Sequence, residues 1–187
     1  MDLHEVLKDS PIIAAVKDRD GMRKALACES QIFFVLFGTI CDIGEIVDEI
    51  KAAGKLVFVH LDLVEGLAGK DVAVDFLQKT CALDGIISTK PALLKYAHSK
   101  GLLTVQRFFL LDSIAAANID RQFQSSKPDM VEVLPGLMTS AIGEIAHQHP
   151  DVPLIAGGLI RTKEEVIAAL SAGAAAVSST NHEVWFL

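Results

Sequence analysis

The sequence lacks the cysteine pairs and long apolar runs that would indicate a disulfide-rich or membrane protein. Its three cysteines, Cys28, Cys41 and Cys81, are widely spaced and form no CxxC pair. We therefore expect reduced thiols in a cytoplasmic protein, with neither a disulfide framework nor a metal site. The most apolar run, IFFVLFGTIC, is far shorter than the roughly 20 residues of a membrane span. The first residues, MDLHEVLKDS, lack the apolar segment of a signal peptide.

Positive charge is also scarce. The formal net charge is −7 at pH 7. This charge opposes nonspecific attraction to the phosphates of nucleic acid. Any RNA contact is therefore expected to use a local basic patch.

What the sequence does contain is a repeated unit of an apolar strand followed by a helical segment. Eight such units recur at a period of roughly 20 to 25 residues. The predicted strands lie in PIIAAVKD, QIFFVLFG, KLVFVHLDLV, GIIST, LLTVQRFF, MVEVLPG, PLIAGGLI and AAAVSST. Strands that alternate with helices pair in parallel, so we predict a (β/α)8 TIM-like barrel, one domain over residues 1–187 with a short last helix. An open, doubly wound sheet with fewer strands is the alternative.

Alternation along the strands predicts which side chains point into the barrel. One face of each strand packs against helices and the other faces the barrel interior. The outward set is expected to be Val57, Val59, Leu61, Leu63, Leu103, Val105, Val131 and Val133. The polar residues expected to face inward near the carboxyl ends of their strands are Lys17, His60, Asp62, Gln106 and Glu132. Burial of so many polar groups is costly without partners, which favours a polar ligand pocket.

Two loops carry the pattern of a phosphate site. In (β/α)8 proteins the loops after strands seven and eight commonly bind phosphate. Here they contain AGGLIRT and SSTNHE. Glycines let backbone N–H groups approach an anion, hydroxyls add donors, and a helix start adds partial positive charge. The predicted phosphate residues are Gly157, Gly158, Arg161, Ser178, Ser179 and Thr180.

Each of these residues also has a purely structural interpretation. The glycine pair can ease strand packing, the hydroxyl residues can cap a helix, and Arg161 can be solvated on a helix rim. His60 can be a hydrogen-bonded core residue, and Lys17 with Glu132 can form a structural ion pair.

Several blocks resemble the glycerol uptake operon antiterminator regulatory proteins. They are HLDLVEGL, GIISTKPALL, QRFFLLDS, VEVLPGLM, LIAGGLIRTKEEV and the terminal GAAAVSST with EVW, in the family's order over nearly the whole chain. The resemblance implies a (β/α)8-like protein, not an enzyme, that responds to glycerol 3-phosphate and acts on leader mRNA to prevent early transcription termination. It implies phosphate on Gly157, Gly158, Ser179 and Thr180, with the hydroxyls facing groups such as Asp62, Glu132 or Gln106.

The resemblance also implies partners. Glycerol 3-phosphate is expected as the effector, with no cofactor, no catalytic residues and a possible homo-oligomer. Leader mRNA is implied by resemblance only. The candidate cations for it are Lys90, Lys95, Lys100, Arg107, Arg121 and Lys127, although solvated helix faces explain most of them.

The alternative function is an isomerase, aldolase or synthase that acts on a small phosphorylated metabolite in the same barrel. His60, Asp62 and Glu132 are candidate acid–base groups, and Lys17 is a candidate amine nucleophile. Short loops after the strands leave little material for a lid that excludes water, which weighs against this alternative.

Overall fold

Strands and helices alternate along the chain in the computed structural model, which describes residues 3–187 apart from the side chains at positions 113, 120 and 124. The strands are β1 (Ile12–Val16), β2 (Ile32–Val35), β3 (Leu56–His60), β4 (Gly85–Ser88), β5 (Leu103–Phe109), β6 (Met130–Leu134), β7 (Leu154–Gly157) and β8 (Ala176–Ser179). The helices are α1 (Leu3–Asp9), α2 (Arg19–Ala25), α3 (Ile43–Ala52), α4 (Asp71–Thr80), α5 (Pro91–Ser99), α6 (Ser113–Ser126), α7 (Thr139–Gln148), α8 (Lys163–Ser171) and α9 (His182–Trp185).

The strands form one closed parallel barrel in sequence order. Each strand pairs with the next, and β8 pairs with β1, where Ala14 lies opposite Ser179. The predicted (β/α)8 barrel with a short last helix is therefore confirmed, and the alternative of an open sheet is wrong. Closure leaves no free edge, so the loops after β7 and β8 meet at one corner of the rim.

The barrel interior is filled by apolar side chains that alternate with helix-facing ones. Phe34 of β2 and Phe58 of β3 meet edge to face inside the barrel, with ring centroids 5.8 Å apart. Helix α1 packs its buried Leu7 onto the same interior cluster. Sequence reasoning treated this first segment only as a non-signal peptide and did not anticipate that its helix packs on the barrel core.

The helices cover the outside of the barrel through one apolar face each. In α3 the buried side chains are Ile43, Ile46, Val47 and Ile50, the face that the periodicity predicts. Helix α8 begins with a capping box between Thr162 and Glu165. None of the helices within residues 3–187 is long and apolar enough to cross a membrane.

Two strand assignments differ from the sequence prediction. Strand β3 ends at His60, and a 3-10 turn follows over Leu61–Leu63, which leaves Leu63 45% exposed instead of packed on a helix. In β5 the alternation is inverted, because Val105 and Leu103 pack with the interior cluster. Both faces of a barrel strand are buried, so hydrophobicity alone does not identify the inward one.

Candidate ligand site

A cavity of about 200 Å³ opens at the carboxyl ends of the strands, beside the loops after β7 and β8. This is the end of a (β/α)8 barrel where ligand sites lie. Its walls are formed by Ala15, Leu36, Arg107, Glu132, Leu134, Gly158, Leu159, Ile160, Arg161, Ser178, Ser179, Thr180 and Asn181.

Hydrogen bonds tie the two loops to each other. The Ser179 hydroxyl donates to the backbone oxygen of Ile160 at 2.8 Å. The side-chain amide of Asn181 donates to the backbone oxygen of Arg161 at 3.1 Å. Both loops are thereby fixed as one wall of the cavity.

Glycine is needed at positions 157 and 158 for different structural reasons. A Cβ on Gly157 would lie 2.6 Å from Oε1 of Glu132 and 2.8 Å from Oγ of Ser178, so only glycine leaves room for that pair. Gly158 has a φ of 71°, in the left-handed region that favours glycine. Leu159 follows with a φ of 62°, a conformation that costs a leucine about 1 kcal/mol. Strained backbone of this kind concentrates at functional sites.

A buried ion pair forms the floor of the cavity. Nε of Arg107 on β5 donates to Oε2 of Glu132 on β6 at 2.5 Å, and the Ser178 hydroxyl donates to Oε1 at 2.5 Å. The side chains of Arg107 and Glu132 are only 8% and 1% exposed. Both carboxylate oxygens are therefore held by charge-assisted hydrogen bonds, which fix the orientation of the guanidinium.

The cavity also presents donors without partners. Among the hydrogen bonds between described groups, none uses the terminal nitrogens of Arg107 or the backbone N–H groups of Gly158, Leu159 and Thr180. The Ser178 hydroxyl is already committed to Glu132. Since free N–H donors and a cation line one small cavity, an anion is the chemical class that fits it.

A second polar cluster lies at the carboxyl ends of β3 and β4. Asp62 accepts hydrogen bonds from the Ser88 hydroxyl at 2.7 Å and from the Thr89 backbone at 3.1 Å, and it pairs with Nζ of Lys90 at 3.0 Å. Burial acts to raise the pKa of Asp62, but these hydrogen bonds and the lysine charge outweigh it and lower the pKa. Oδ2 is thus held by two protein donors, whereas the buried Oδ1 lies beside the Lys90 ammonium and has no hydrogen-bond partner among the described residues.

His60 lies beside this cluster and inside the barrel. Its Nδ1 is 3.8 Å from Oδ2 of Asp62 and has no hydrogen-bond partner in the part of the chain that the structure describes. Burial, helped by the positive charge of Arg107 and opposed by Asp62, lowers the pKa of His60 from 6.5 to about 4. The imidazole is therefore neutral near pH 7.

The structure brings most of the predicted phosphate residues together. Six predicted residues line the cavity, namely Glu132, Gly158, Arg161, Ser178, Ser179 and Thr180. Gly157 lies directly behind it, against Glu132 and Ser178. Their binding roles stay predictions.

Four residues predicted for the pocket lie outside the lining of this cavity. Lys17 is exposed, whereas His60 and Asp62 belong to the second cluster. Gln106 points away from the barrel interior and donates to Gln122 on α6. The last helix is short, as predicted: it comprises four residues, and the Asn181 side chain caps it.

The inverted alternation in β5 explains both Gln106 and the residue that the prediction missed. Gln106 is predicted to face inward because Leu103 and Val105 are assigned to the helix-facing side, but Asp129 and α6 supply polar partners for Thr104 and Gln106 outside the barrel interior. Arg107 then points inward, with Leu103 and Val105 on the same face. The regular spacing of these three residues was the signal that could have identified Arg107.

The candidate RNA-binding cations separate into paired and exposed groups. Lys90 pairs with Asp62, Lys100 pairs with Asp75, and Arg107 is buried against Glu132. Lys95, Arg121 and Lys127 are exposed and take part in none of the ion pairs among the described residues, whereas Lys90 and Lys100 are exposed but paired. Among the side chains that the structure describes, no cluster of three or more His, Cys, Asp or Glu is arranged to hold a metal ion.

Comparison with known proteins gives consistent results over nearly the whole chain. The model of the family described as glycerol-3-phosphate responsive antiterminator matches residues 12–185. An uncharacterised protein of Escherichia coli, YgcP, is 44% identical over 187 residues, which cover 100% of this chain and 97% of that protein.

Two solved structures show the same relationship. A glycerol uptake operon antiterminator regulatory protein of Listeria monocytogenes is 34% identical, with a TM-score of 0.89 over 93% of this chain and 94% of its own. An antiterminator-related protein of Thermotoga maritima is also 34% identical, with a TM-score of 0.84 over 94% of this chain and 98% of its own. The chain therefore belongs to the glycerol-3-phosphate responsive antiterminator family.

Proposed function

We propose that this chain binds glycerol 3-phosphate in the cavity at the carboxyl end of the barrel and acts as a transcription antiterminator on the leader mRNA of a glycerol uptake operon. Family membership supports the effector and the regulatory role. The single observation that carries the binding site is the set of unpartnered donors around a cavity of about 200 Å³. An mRNA target implies a cytoplasmic protein, and we propose no cofactor for it.

The ligand is oriented by the polarity of the cavity. The loops after β7 and β8 supply backbone donors at Gly158, Leu159 and Thr180, which suit phosphate oxygens. Glu132 is an acceptor with lone pairs left after its two hydrogen bonds, so it suits the ligand hydroxyls. Phosphate and diol are thus recognised by opposite kinds of group in one pocket.

Calorimetric titration tests the effector assignment. The protein is titrated with glycerol 3-phosphate, glycerol and inorganic phosphate, and the first is expected to bind with the highest affinity because it alone uses both kinds of group. Ligand at about 100 times its dissociation constant should raise the free energy of unfolding by about 2.7 kcal/mol, which a thermal shift reports. Absence of any binding would refute the proposal.

The same samples distinguish a regulator from a barrel enzyme. A regulator returns its ligand unchanged, whereas an enzyme converts it to another phosphate ester. Phosphorus NMR of glycerol 3-phosphate after prolonged incubation with the protein is expected to show the starting compound only. A new phosphate ester that grows with protein concentration would support the enzyme instead.

Filter binding tests the RNA half of the proposal. Leader RNA of a glycerol uptake operon from the same organism is expected to be retained at low salt, with retention that changes when glycerol 3-phosphate is added. A triple variant at the exposed cations of α5 and α6, Lys95→Gln, Arg121→Gln and Lys127→Gln, should bind RNA about tenfold more weakly.

A second triple variant provides the matched control. Lys8→Gln, Lys24→Gln and Lys163→Gln remove the same charge from exposed positions on α1, α2 and α8. Equal loss in both triple variants would indicate only general electrostatics. No RNA retained by the wild-type protein at low salt would overturn the RNA-binding role.

A further inference from the structure

We propose that Arg107 is the cation that binds the phosphate group of the ligand, and that Glu132 acts as a positioning residue for its guanidinium. The inference rests on the proposed function, because it assigns a residue to the same ligand. It replaces the sequence-based choice of Arg161, which is exposed on the rim of the cavity.

The side chain of Arg107 uses only part of its hydrogen-bonding capacity. A guanidinium carries five N–H donors. Only Nε donates to a protein acceptor among the described residues, although the side chain is just 8% exposed. A charge buried with unused donors is costly unless a ligand completes its hydrogen bonds. Its terminal nitrogens form the fork that binds phosphate oxygens in pairs.

The guanidinium of Arg107 lies at the cavity, beside the other free donors. Arg107 lines the same cavity as the free backbone N–H groups of Gly158 and Thr180. Glu132 fixes Nε, and Ser178 in turn fixes Glu132. The guanidinium is therefore held in place before a ligand enters, and little side-chain entropy remains to be lost on binding.

The negative charge of Glu132 neutralises the positive charge of Arg107 within the buried ion pair. A phosphate that binds Arg107 must approach the Glu132 carboxylate. The negative charge of Glu132 therefore lowers the affinity for the anion, although its hydrogen bond orients the guanidinium. Glu132→Gln keeps an amide oxygen that can accept from Nε, so it preserves the orientation of the guanidinium while it removes the negative charge. If Arg107 and Glu132 formed only a structural pair, Arg107→Gln and Glu132→Gln would both weaken ligand binding.

The experiment compares Arg107→Gln with Glu132→Gln by calorimetry with inorganic phosphate and with glycerol 3-phosphate. Arg107→Gln is expected to lower the affinity for both ligands by about 100-fold. Glu132→Gln is expected to raise the affinity for inorganic phosphate about threefold, because one negative charge leaves the site. Arg107→Lys, which keeps the charge but loses the fork, should lie between wild type and Arg107→Gln.

Two further variants separate an effect on binding from an effect on folding. Arg107→Gln leaves the Glu132 charge buried without its cation, which can destabilise the fold. The double variant Arg107→Gln with Glu132→Gln removes both charges, so it is expected to fold and to bind both ligands about 100-fold more weakly than wild type. Arg121→Gln on α6 is the control for loss of one exposed arginine. Circular dichroism and thermal unfolding of each variant establish that it is folded.

The outcomes separate the inference from the proposed function. If wild type binds glycerol 3-phosphate and the double variant binds it as tightly as Arg121→Gln, the inference is overturned and the proposed function stands. If Glu132→Gln lowers the affinity for inorganic phosphate as much as Arg107→Gln does, the pair is structural and the inference is again overturned. If wild type binds no glycerol 3-phosphate, the proposed function fails and the inference fails with it.

Discussion

Two polar clusters occupy the same end of the barrel, and they differ in how their hydrogen bonds are completed. Around Asp62, the protein itself supplies the partners: a hydroxyl, a backbone N–H and a lysine. Around Glu132, the carboxylate is satisfied, but its partner Arg107 and the neighbouring loop amides keep donors that face a cavity. Polar residues at a strand end therefore do not by themselves identify a ligand site; unused donors beside an accessible cavity do.

The largest effect that tests this comparison is the pH dependence contributed by His60, which lies on the Asp62 side. Its pKa is 6.5 in the unfolded chain and about 4 in the folded protein. Its contribution to stability is fully present above pH 6.5 and is lost as the pH falls towards and below 4, because the unfolded chain binds the proton first. The loss should reach about 3 kcal/mol.

The measurement is urea unfolding of wild type and His60→Gln between pH 7 and pH 3.5. Carboxylates titrate in both proteins, so the difference between the two curves isolates the histidine. The charges that act on the imidazole, Arg107 on β5 and Asp62 in the 3-10 turn after β3, are present in both proteins. Parallel curves over the whole range would show that His60 is not held neutral in the fold.

The next effect is expected from Asp62→Asn. This change removes the charge that accepts from Ser88 and Thr89 and pairs with Lys90, so the free energy of unfolding should fall by about 2 kcal/mol. Affinity for glycerol 3-phosphate should stay within about twofold, because Asp62 does not line the cavity. A large loss of affinity would remove the distinction between the two clusters.

A smaller effect is expected from Gly158→Ala, with Gly101→Ala as its control. The φ angles are 71° at Gly158 and 80° at Gly101, so alanine should cost about 1 kcal/mol of stability at either position. A Cβ at Gly158 would lie 3.0 Å from Cδ2 of Leu134 on the cavity wall, whereas a Cβ at Gly101 meets nothing within 4 Å. Only Gly158→Ala should lower the affinity for glycerol 3-phosphate, by about tenfold. Equal affinities for glycerol 3-phosphate in the two variants would show that the loop after β7 does not take part in ligand binding.

The smallest effect is expected from Arg161→Gln. Arg161 lines the cavity but is exposed, so its charge is screened by solvent and salt. Calorimetry at low salt should show about a twofold loss of affinity for glycerol 3-phosphate, which disappears at about 1 M NaCl. A loss as large as that of Arg107→Gln would instead make Arg161 the principal cation.

The comparison also shows how far sequence reasoning reached. The sequence predicts the glycine pair and the hydroxyl residues in adjoining loops, and the structure places them together at the adjoining ends of β7 and β8, where Gly157 pairs with Ser178. The reason for Gly157 was incomplete, since its missing side chain makes room for Glu132 and Ser178. Contacts between residues 25 or more positions apart are not encoded in local spacing.

The sequence by itself determined the barrel, because eight apolar strands that alternate with amphipathic helices have few other ways to bury both layers. It also determined which loops carry glycine and hydroxyl groups. Only the tertiary structure decided that Arg107 faces the cavity while Gln106 faces α6. In a parallel barrel both faces of a strand are buried, so the direction of each side chain depends on the partners that neighbouring strands and helices supply.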